Sequence, residues 1–289
     1  MTPPKVDRFI AVDWSGAKGP NYDGIAVAAC RPGREAPVLV PPPGRRWRRA
    51  DFVAWVMEHA CDGETLLVGI DCAFALPEAT AAGWLGSDYP VAELWDYVDR
   101  ACDDAEDFYG GDFADRAEHQ AHFWRTGKRP DSFLEHHRAG ELACRAAGLG
   151  APESPLKLVG ARQVGKGGLA GMRVLARLRR TLGDAFCVWP FDPIDRARII
   201  CVELYPRLFM RMAQHGNSKV RTPAVLDRCL DALDSSPTGQ WLVLPSDHET
   251  DALVAAAGLR RIASDPAVWN PTGLDALARR AEGWVFGVP

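Results

Sequence analysis

The chain has 289 residues, of which 47% are hydrophobic and 25% are charged, a composition typical of a globular protein with a substantial core. Its formal net charge of −4 argues against a protein that coats nucleic acid indiscriminately. The sequence has neither an apolar run of transmembrane length nor a signal-peptide pattern, so we expect a cytoplasmic protein that does not enter a membrane. Eight cysteines are scattered without a C-x-x-C pair, which favours reduced thiols in the core.

The first part of the chain alternates short apolar runs with turn residues. Residues 9–13 and 24–30 read as strands, and the short turn-rich segment between them predicts an antiparallel hairpin. Residues 35–40 can supply a third strand, and an amphipathic helix follows, with Phe52 and Val56 on its apolar side. The apolar run 66–71 is a fourth strand. The predicted order is therefore β-β-β-α-β.

The middle of the chain is different in character. Residues 78–195 are polar, irregular and helical in pattern, and we interpret them as a largely helical insertion into an α/β core formed by residues 1–77 and 196–289. In the second part of that core we predict a strand at 198–203, a helix near 222–235, a short strand at 241–244 and a helix that begins near 246–247.

Three of the predicted strands end on a carboxylate: Asp13, Asp71 and Glu203. Burying several unpaired carboxylates together is costly, and a bound divalent cation is the usual remedy. The last helix carries Asp247 and Asp251 one turn apart, so a further acid can reach the cluster. The plainer interpretation is that each strand-end acid caps a turn and that Asp247 or Ser246 only caps its helix.

Four short motifs resemble a known family. They are residues 11–16 (AVDWSG), 69–77 (GIDCAFALP), 202–206 (VELYP) and 247–252 (DHETDA). Together with the β-β-β-α-β order, they resemble the ribonuclease H-like superfamily and, more closely, the predicted-nuclease family called domain of unknown function 429. The likeness spans nearly the whole chain and implies a ribonuclease H-like mixed sheet.

The resemblance also implies phosphodiester hydrolysis with two metal ions. Asp13, Asp71, Glu203 and Asp251 are then the catalytic acids, and with Asp247 they are the candidate ligands of Mg²⁺ or Mn²⁺. These hard cations bind oxygen ligands and leave positions open for water and phosphate. An acid on the 203 strand and a helical insertion depart from ribonuclease H itself.

Substrate contacts are expected from residues outside the acids. Arg162 and Lys166 flank a glycine turn in the basic segment 156–180, and Lys219 follows the Glu203 strand, so all three can contact phosphate. Trp14 and Ser15 follow Asp13, where an aromatic ring can stack on a base. Each also has a structural alternative. Lys219 can be a solvated lysine, the glycine segment a packing turn, and Trp14 a core tryptophan.

Two other functional classes remain open from the sequence. The same hairpin topology underlies the actin-like and sugar-kinase ATPases, in which a first-strand Asp and a Ser-Gly turn face ATP phosphates, although no second hairpin of that form is visible here. A nucleic-acid or nucleotide-binding protein can also keep the fold without turnover. The sequence leaves open whether the substrate is DNA, RNA or a small nucleotide, and what the oligomeric state is.

Overall fold

A mixed sheet organises the chain in a computed structural model that describes residues 2–19, 22–131, 133–160, 163–216, 218–239 and 243–289. Within these residues the sheet has six strands in the order β3-β2-β1-β4-β6-β5. The strands are β1 (Arg8–Asp13), β2 (Ala26–Cys30), β3 (Val38–Leu39), β4 (Leu66–Ile70), β5 (Phe186–Val188) and β6 (Ile199–Glu203). Strand β2 is antiparallel to both of its neighbours, β1 and β3, whereas β1, β4, β6 and β5 run parallel to one another.

Helices cover both faces of this sheet. They are α1 (Arg49–His59), α2 (Glu78–Leu85), α3 (Val91–Ala101), α4 (Ala139–Ala146), α5 (Gly165–Leu182), α6 (Pro206–Met212), α7 (Pro223–Ala232), α8 (Asp247–Ile262) and α9 (Pro266–Trp269). Short 3₁₀ turns lie at Glu106–Phe108, Gly111–Asp115, Gln120–His122 and Gly183–Ala185, and a π turn lies at Ala278–Glu282. The predicted α/β class and the β-β-β-α-β beginning are present.

Alternation along the strands divides the core into two layers. Ile10 and Val12 of β1 pack with α1, α3 and α5 on one face, whereas Phe9 and Ala11 pack with α6, α7 and α8 on the other. Small residues let α8 lie close to the hairpin, and the thiol of Cys30 is 3.4 Å from the α8 carbonyl of Ala256. Because both faces are buried, the strands read as continuous apolar runs.

The segment 78–195 is mostly helical and carries α2 to α5, and it also contributes to the sheet. Its strand β5 pairs with β6 in parallel, Cys187 lying opposite Ile200, so one edge of the sheet comes from the segment predicted as an insertion. Leu169 and Leu175 of α5 belong to the same core layer as Val12. This segment and the sheet therefore share one hydrophobic core.

Two predicted strands differ in extent from the structure. The third strand, expected over 35–40, is limited to the two residues of β3 at the outer edge of the sheet. In the predicted strand 241–244, Trp241 and Leu242 lie outside the described residues, while Val243 is exposed and lies in a bend. None of the helices that the structure describes is long and apolar enough to cross a membrane.

Candidate active site

The carboxyl ends of β1, β4 and β6 meet at one edge of the sheet. Register places Val12 beside Ile70 and Ile70 beside Glu203, and the amide of Asp71 donates a 2.9 Å hydrogen bond to the carbonyl of Val12. The strand-end acids therefore come together although they are far apart in sequence. Asp13, Asp71, Glu203 and Asp251 all line one cavity of about 690 Å³.

The first turn of α8 supplies part of the wall of this cavity. The helix begins after Ser246, whose hydroxyl accepts a hydrogen bond from the amide of Glu249 while the Glu249 carboxylate accepts one from the amide of Ser246. With the start of the helix defined in this way, His248 and Asp251 share a face and both line the cavity.

His248 holds the first strand-end acid. Its Nδ1 lies 2.5 Å from Oδ2 of Asp13, whose side chain is only 9% exposed. Burial raises the pKa of the Asp13 carboxyl, while the hydrogen bond and charge of His248 oppose that rise. In return, the hydrogen bond to Asp13 raises the pKa of the His248 imidazole above its usual value. The pair orients Asp13 at the cavity wall.

Lys219 provides a positive charge inside the cluster. Its ammonium group donates a 2.5 Å hydrogen bond to Oδ2 of Asp251, and both side chains line the cavity. Lys219, predicted as a phosphate contact, therefore lies beside an acid of the cluster. Its role toward a substrate stays a prediction.

Asp71 is the acid with the most unfavourable surroundings. No described residue donates a hydrogen bond to its carboxylate, and burial raises its pKa well above the usual aspartate value. The nearby carboxylates of Asp13, Asp251 and Glu203 raise it further, and Lys219 lowers it only in part. An ionised Asp71 therefore needs a positive partner that the surrounding side chains do not supply in full.

We expect Asp71→Asn to stabilise the metal-free protein at neutral pH. A folded-state pKa above the unfolded value means that folding favours the protonated acid, so this stability is present at pH values below the ordinary pKa and is lost as the pH rises through the raised one. Each unit of elevation corresponds to about 1.4 kcal/mol. The melting temperature of the wild type, measured with chelator, should fall relative to that of Asp71→Asn between mildly acidic and neutral pH. Destabilisation by the substitution at every pH would contradict this view of Asp71.

Glu203 is neutralised by an arginine of the helical segment. The guanidinium group of Arg138 donates to both carboxylate oxygens, at 2.8 Å to Oε2 and 2.5 Å to Oε1, and the amide of Phe74 donates to Oε2 at 3.0 Å. The register of the strands explains this position. Val12, Ile70 and Glu203 lie side by side, so their side chains are on the same face of the sheet. Asp13 is the next residue after Val12 and therefore lies on the other face. Glu203 lines the cavity but is held in a buried ion pair.

Arg138 also joins two further parts of the chain. Its Nε donates a 2.8 Å hydrogen bond to Oε1 of Glu141, and its Nη1 donates at 3.0 Å to the carbonyl of Glu282. Burial raises the pKa of the Glu141 carboxyl, and the charge of Arg138 opposes that rise. Sequence reasoning missed this network, because an R-x-x-E pair at a helix start gives no sign of the distant Glu203 that it meets.

The basic glycine turn does face the acids. Helix α5 begins beside the cavity, and Lys166 and Gly167 line it. A Cβ added to Gly16 would lie 2.3 Å from the amide nitrogen of Gly167, so the loop after β1 packs directly on the helix start. The indole of Trp14 donates a 3.2 Å hydrogen bond to the Gly167 carbonyl. Lys166 therefore lines the same cavity as His248 and Asp251 of α8.

The other predicted contacts occupy different environments. Trp14 lines the cavity but is mostly buried, with its ring packed edge-on against Phe52 at 5.7 Å. Ser15 also lines it, and its hydroxyl accepts a hydrogen bond from the amide of Ala17. Arg162 lies outside the described residues. The roles of Trp14 and Ser15 toward a substrate stay predictions.

Asp247 lies apart from the other predicted acids. It is the first residue of α8, its side chain is 39% exposed, and it forms a 3.0 Å ion pair with Arg221. Asp247 does not belong to the described lining of the cavity. Asp247 was expected to join Asp251 in the cluster. The residue of the first turn that lines the cavity together with Asp251 is instead His248.

The fitness of this site for a divalent cation depends on its donor chemistry. In the part of the chain that the structure describes, no three His, Cys, Asp or Glu side chains are arranged as a ligand set for a metal ion. Lys219 and Arg138 instead neutralise Asp251 and Glu203. The donors nevertheless suit a hard cation, because the carboxylates of Asp13, Asp71 and Asp251 are among those that line one cavity, and that of Asp71 accepts no hydrogen bond from a described residue.

Comparisons of the chain with models of protein families, with curated proteins and with solved structures found no match.

Proposed function

We propose that this protein is a metal-dependent phosphodiester hydrolase with a ribonuclease H-like fold. The fold proposal is supported by the β-β-β-α-β beginning of the mixed sheet. The functional proposal is supported above all by Asp71, a carboxylate with a raised pKa and no hydrogen-bond donor among the described residues, in a cavity shared with Asp13 and Asp251. A binding cation would relieve that repulsion.

Asp13, Asp71 and Asp251 are the residues proposed to hold Mg²⁺ or Mn²⁺. When bound, such a cation supplies a water of lowered pKa and neutralises the charge that develops on phosphate oxygens. Glu203 is not proposed as a ligand, since both of its carboxylate oxygens accept hydrogen bonds from Arg138. Its hydrogen bond from the amide of Phe74 holds the turn that follows β4, so Glu203 acts as a positioning residue for Asp71.

The chain's own cations have separate tasks in this proposal. Lys166, at the start of α5, and Lys219, beside Asp251, lie on the lining of the cavity and can bind the non-bridging oxygens of a phosphate. His248 holds Asp13 in place through its Nδ1. A phosphate that enters the cavity would therefore meet positive charge from the side chains and carboxylates ready for a cation.

Hydrolysis of bis(p-nitrophenyl) phosphate tests the proposal. The purified protein should release p-nitrophenol with Mn²⁺ and release none with excess chelator. A matched series with ATP and with p-nitrophenyl phosphate separates a diesterase from an ATPase and from a monoesterase. Turnover of ATP without turnover of the diester would contradict the proposal and favour the actin-like alternative, and no turnover of any of the three would favour a binding protein.

A further inference from the structure

We infer that the site acts on a nucleotide-sized phosphodiester, either a free dinucleotide or the single-stranded end of a nucleic-acid chain, and not on the interior of a duplex. This inference rests on the proposed function. It comes from three observations: the segments that surround the cavity, the low exposure of the acids, and the ion pairs formed by the basic segments.

Segments from both parts of the fold surround the cavity. The loop at 14–17, the start of α5, the loop at 148–153, the start of α6 and the first turn of α8 all contribute lining residues. Its volume of about 690 Å³ lies in the range of small-molecule pockets, roughly 300 to 1,000 Å³. Such a space is large enough for one or two nucleotides.

The acids proposed to react are largely shielded from solvent. The side chain of Asp13 is 9% exposed and that of Asp251 is 15% exposed. A phosphate must therefore enter the cavity to reach them. The backbone of a duplex is rigid, and each of its internal phosphates carries paired nucleotides on both sides, so the walls would stop it before contact.

The basic run on α5 does not form a track for a polyanion. Arg173 is paired with Asp99 at 3.0 Å, and Arg180 is paired with Asp96 at 2.6 Å. Arg179 likewise forms a 2.7 Å ion pair with an aspartate of its own chain. These arginines join α5 to α3 and to the end of β5. Their charge is neutralised within the protein, whereas a duplex needs an extended row of free cations.

Two arginines of the second basic run, at residues 45–49, are likewise held by contacts within the protein. Arg49 is fully buried and donates hydrogen bonds to the carbonyls of Ser15 and Ala17, at 2.6 and 3.0 Å. Arg46 forms a 2.5 Å ion pair with Asp23. Arg49 thereby braces the loop that walls the cavity. The cations near the acids, such as Lys166 and Lys219, line the cavity itself. This arrangement suits a short anion that enters the cavity.

A panel of diesters with Mn²⁺ tests the inference. It contains a thymidine dinucleotide, an end-labelled single strand, the same strand in a duplex, and a covalently closed plasmid. We expect cleavage of the dinucleotide, stepwise shortening of the single strand from one end, and nicking of the plasmid slower by about 100-fold or more per phosphodiester. Cleavage of the dinucleotide alone would identify a free small diester as the source of the substrate. Plasmid nicking at a rate comparable to dinucleotide cleavage would overturn the inference.

One lysine variant and one arginine variant on α5 distinguish binding in the cavity from binding along an extended basic surface. Lys166→Ala should raise KM for the dinucleotide about tenfold or more, because it removes a charged contact in the cavity. Arg177→Ala, exposed two turns or more further along α5, should leave it unchanged. Equal weakening of oligonucleotide binding by both variants would overturn the inference in favour of a basic track.

Failure of the proposed function gives a different pattern. If no diester on the panel is cleaved, the hydrolase proposal fails, and thermal protection then decides the question of substrate size. A dinucleotide that raises the melting temperature while an equal concentration of duplex does not would still support a nucleotide-sized pocket. Protection by the duplex, or protection by neither probe, would overturn it.

Discussion

Asp13→Asn should lower Mn²⁺-dependent diester hydrolysis by about 100-fold or more while leaving the protein folded. The substitution keeps the shape of the side chain but removes the charge that a cation needs, and electrostatic groups at reacting centres typically contribute effects of this size. Mn²⁺ should also raise the melting temperature of the wild type, since a ligand that binds only the folded state stabilises it. That increment should disappear in the variant. Parallel kinetic and melting measurements check both effects.

Asp247→Asn is the matched control for this variant. It removes the same charge from the same edge of the fold, but Asp247 is paired with Arg221 at the surface and lies outside the described cavity lining. We expect its hydrolysis rate and its Mn²⁺-dependent increment to match those of the wild type. An Asp13 variant that keeps the wild-type increment would show that Asp13 does not bind the cation.

Arg138→Ala should destabilise the protein by about 3–5 kcal/mol. Arg138 is buried and holds the carboxylates of Glu141 and Glu203 together. Removal of the guanidinium group leaves two buried acids without their cation, and such uncompensated charges are much more costly than the loss of a surface pair. Denaturant unfolding of the wild type and the variant measures the difference in free energy of unfolding.

Arg145→Ala, on the same helix, is the control for Arg138→Ala. Arg145 is exposed and bonds only weakly to its surroundings, through a 3.2 Å hydrogen bond to the carbonyl of Pro152 and a 3.4 Å contact with His137. Its removal should cost less than about 1 kcal/mol. If Arg138→Ala were no more destabilising than this control, the buried network would not contribute to folding as described.

The core of the fold was predictable because its strands are buried on both faces. Continuous apolar runs such as 9–13 and 66–71 are stable only where both faces are buried. The turn-rich connection between the first two strands has no helical pattern for a crossover, so it predicts a hairpin. Strand β5 was not predicted, because three residues carry too little pattern and its pairing depends on β6. The third strand was predicted too long, since only Val38–Leu39 finds a partner in β2.

The candidate site was predictable in its acids and less so in their partners. Asp13 and Asp71 end neighbouring parallel strands, so strand direction alone brings them together. Asp251 was predictable because Ser246 and Glu249 mark the start of its helix, and the start of a helix fixes which residues share a face. The basic side chains that pair with these acids could not be predicted in this way.

Ion pairs across the fold depend on tertiary approach, which local sequence does not encode. Arg138 lies 65 positions from Glu203 along the chain, and Lys219 lies 32 from Asp251. Neither separation follows a secondary-structure period, so no pattern links the partners. For the same reason the ion pair of Glu203 with Arg138 was not predicted, since the position of Glu203 opposite Ile70 is given only by the assembled sheet.

Anomalous diffraction from crystals soaked with Mn²⁺ tests the central claim most directly. Data collected on both sides of the manganese absorption edge locate the ion independently of any assumption about its ligands. The proposed function predicts an anomalous peak in the cavity within coordination distance of carboxylate oxygens of Asp13 and Asp71, and no peak at that position in Asp13→Asn. A cavity without anomalous signal in crystals whose Mn²⁺ binds elsewhere would contradict the claim that these acids form a metal site.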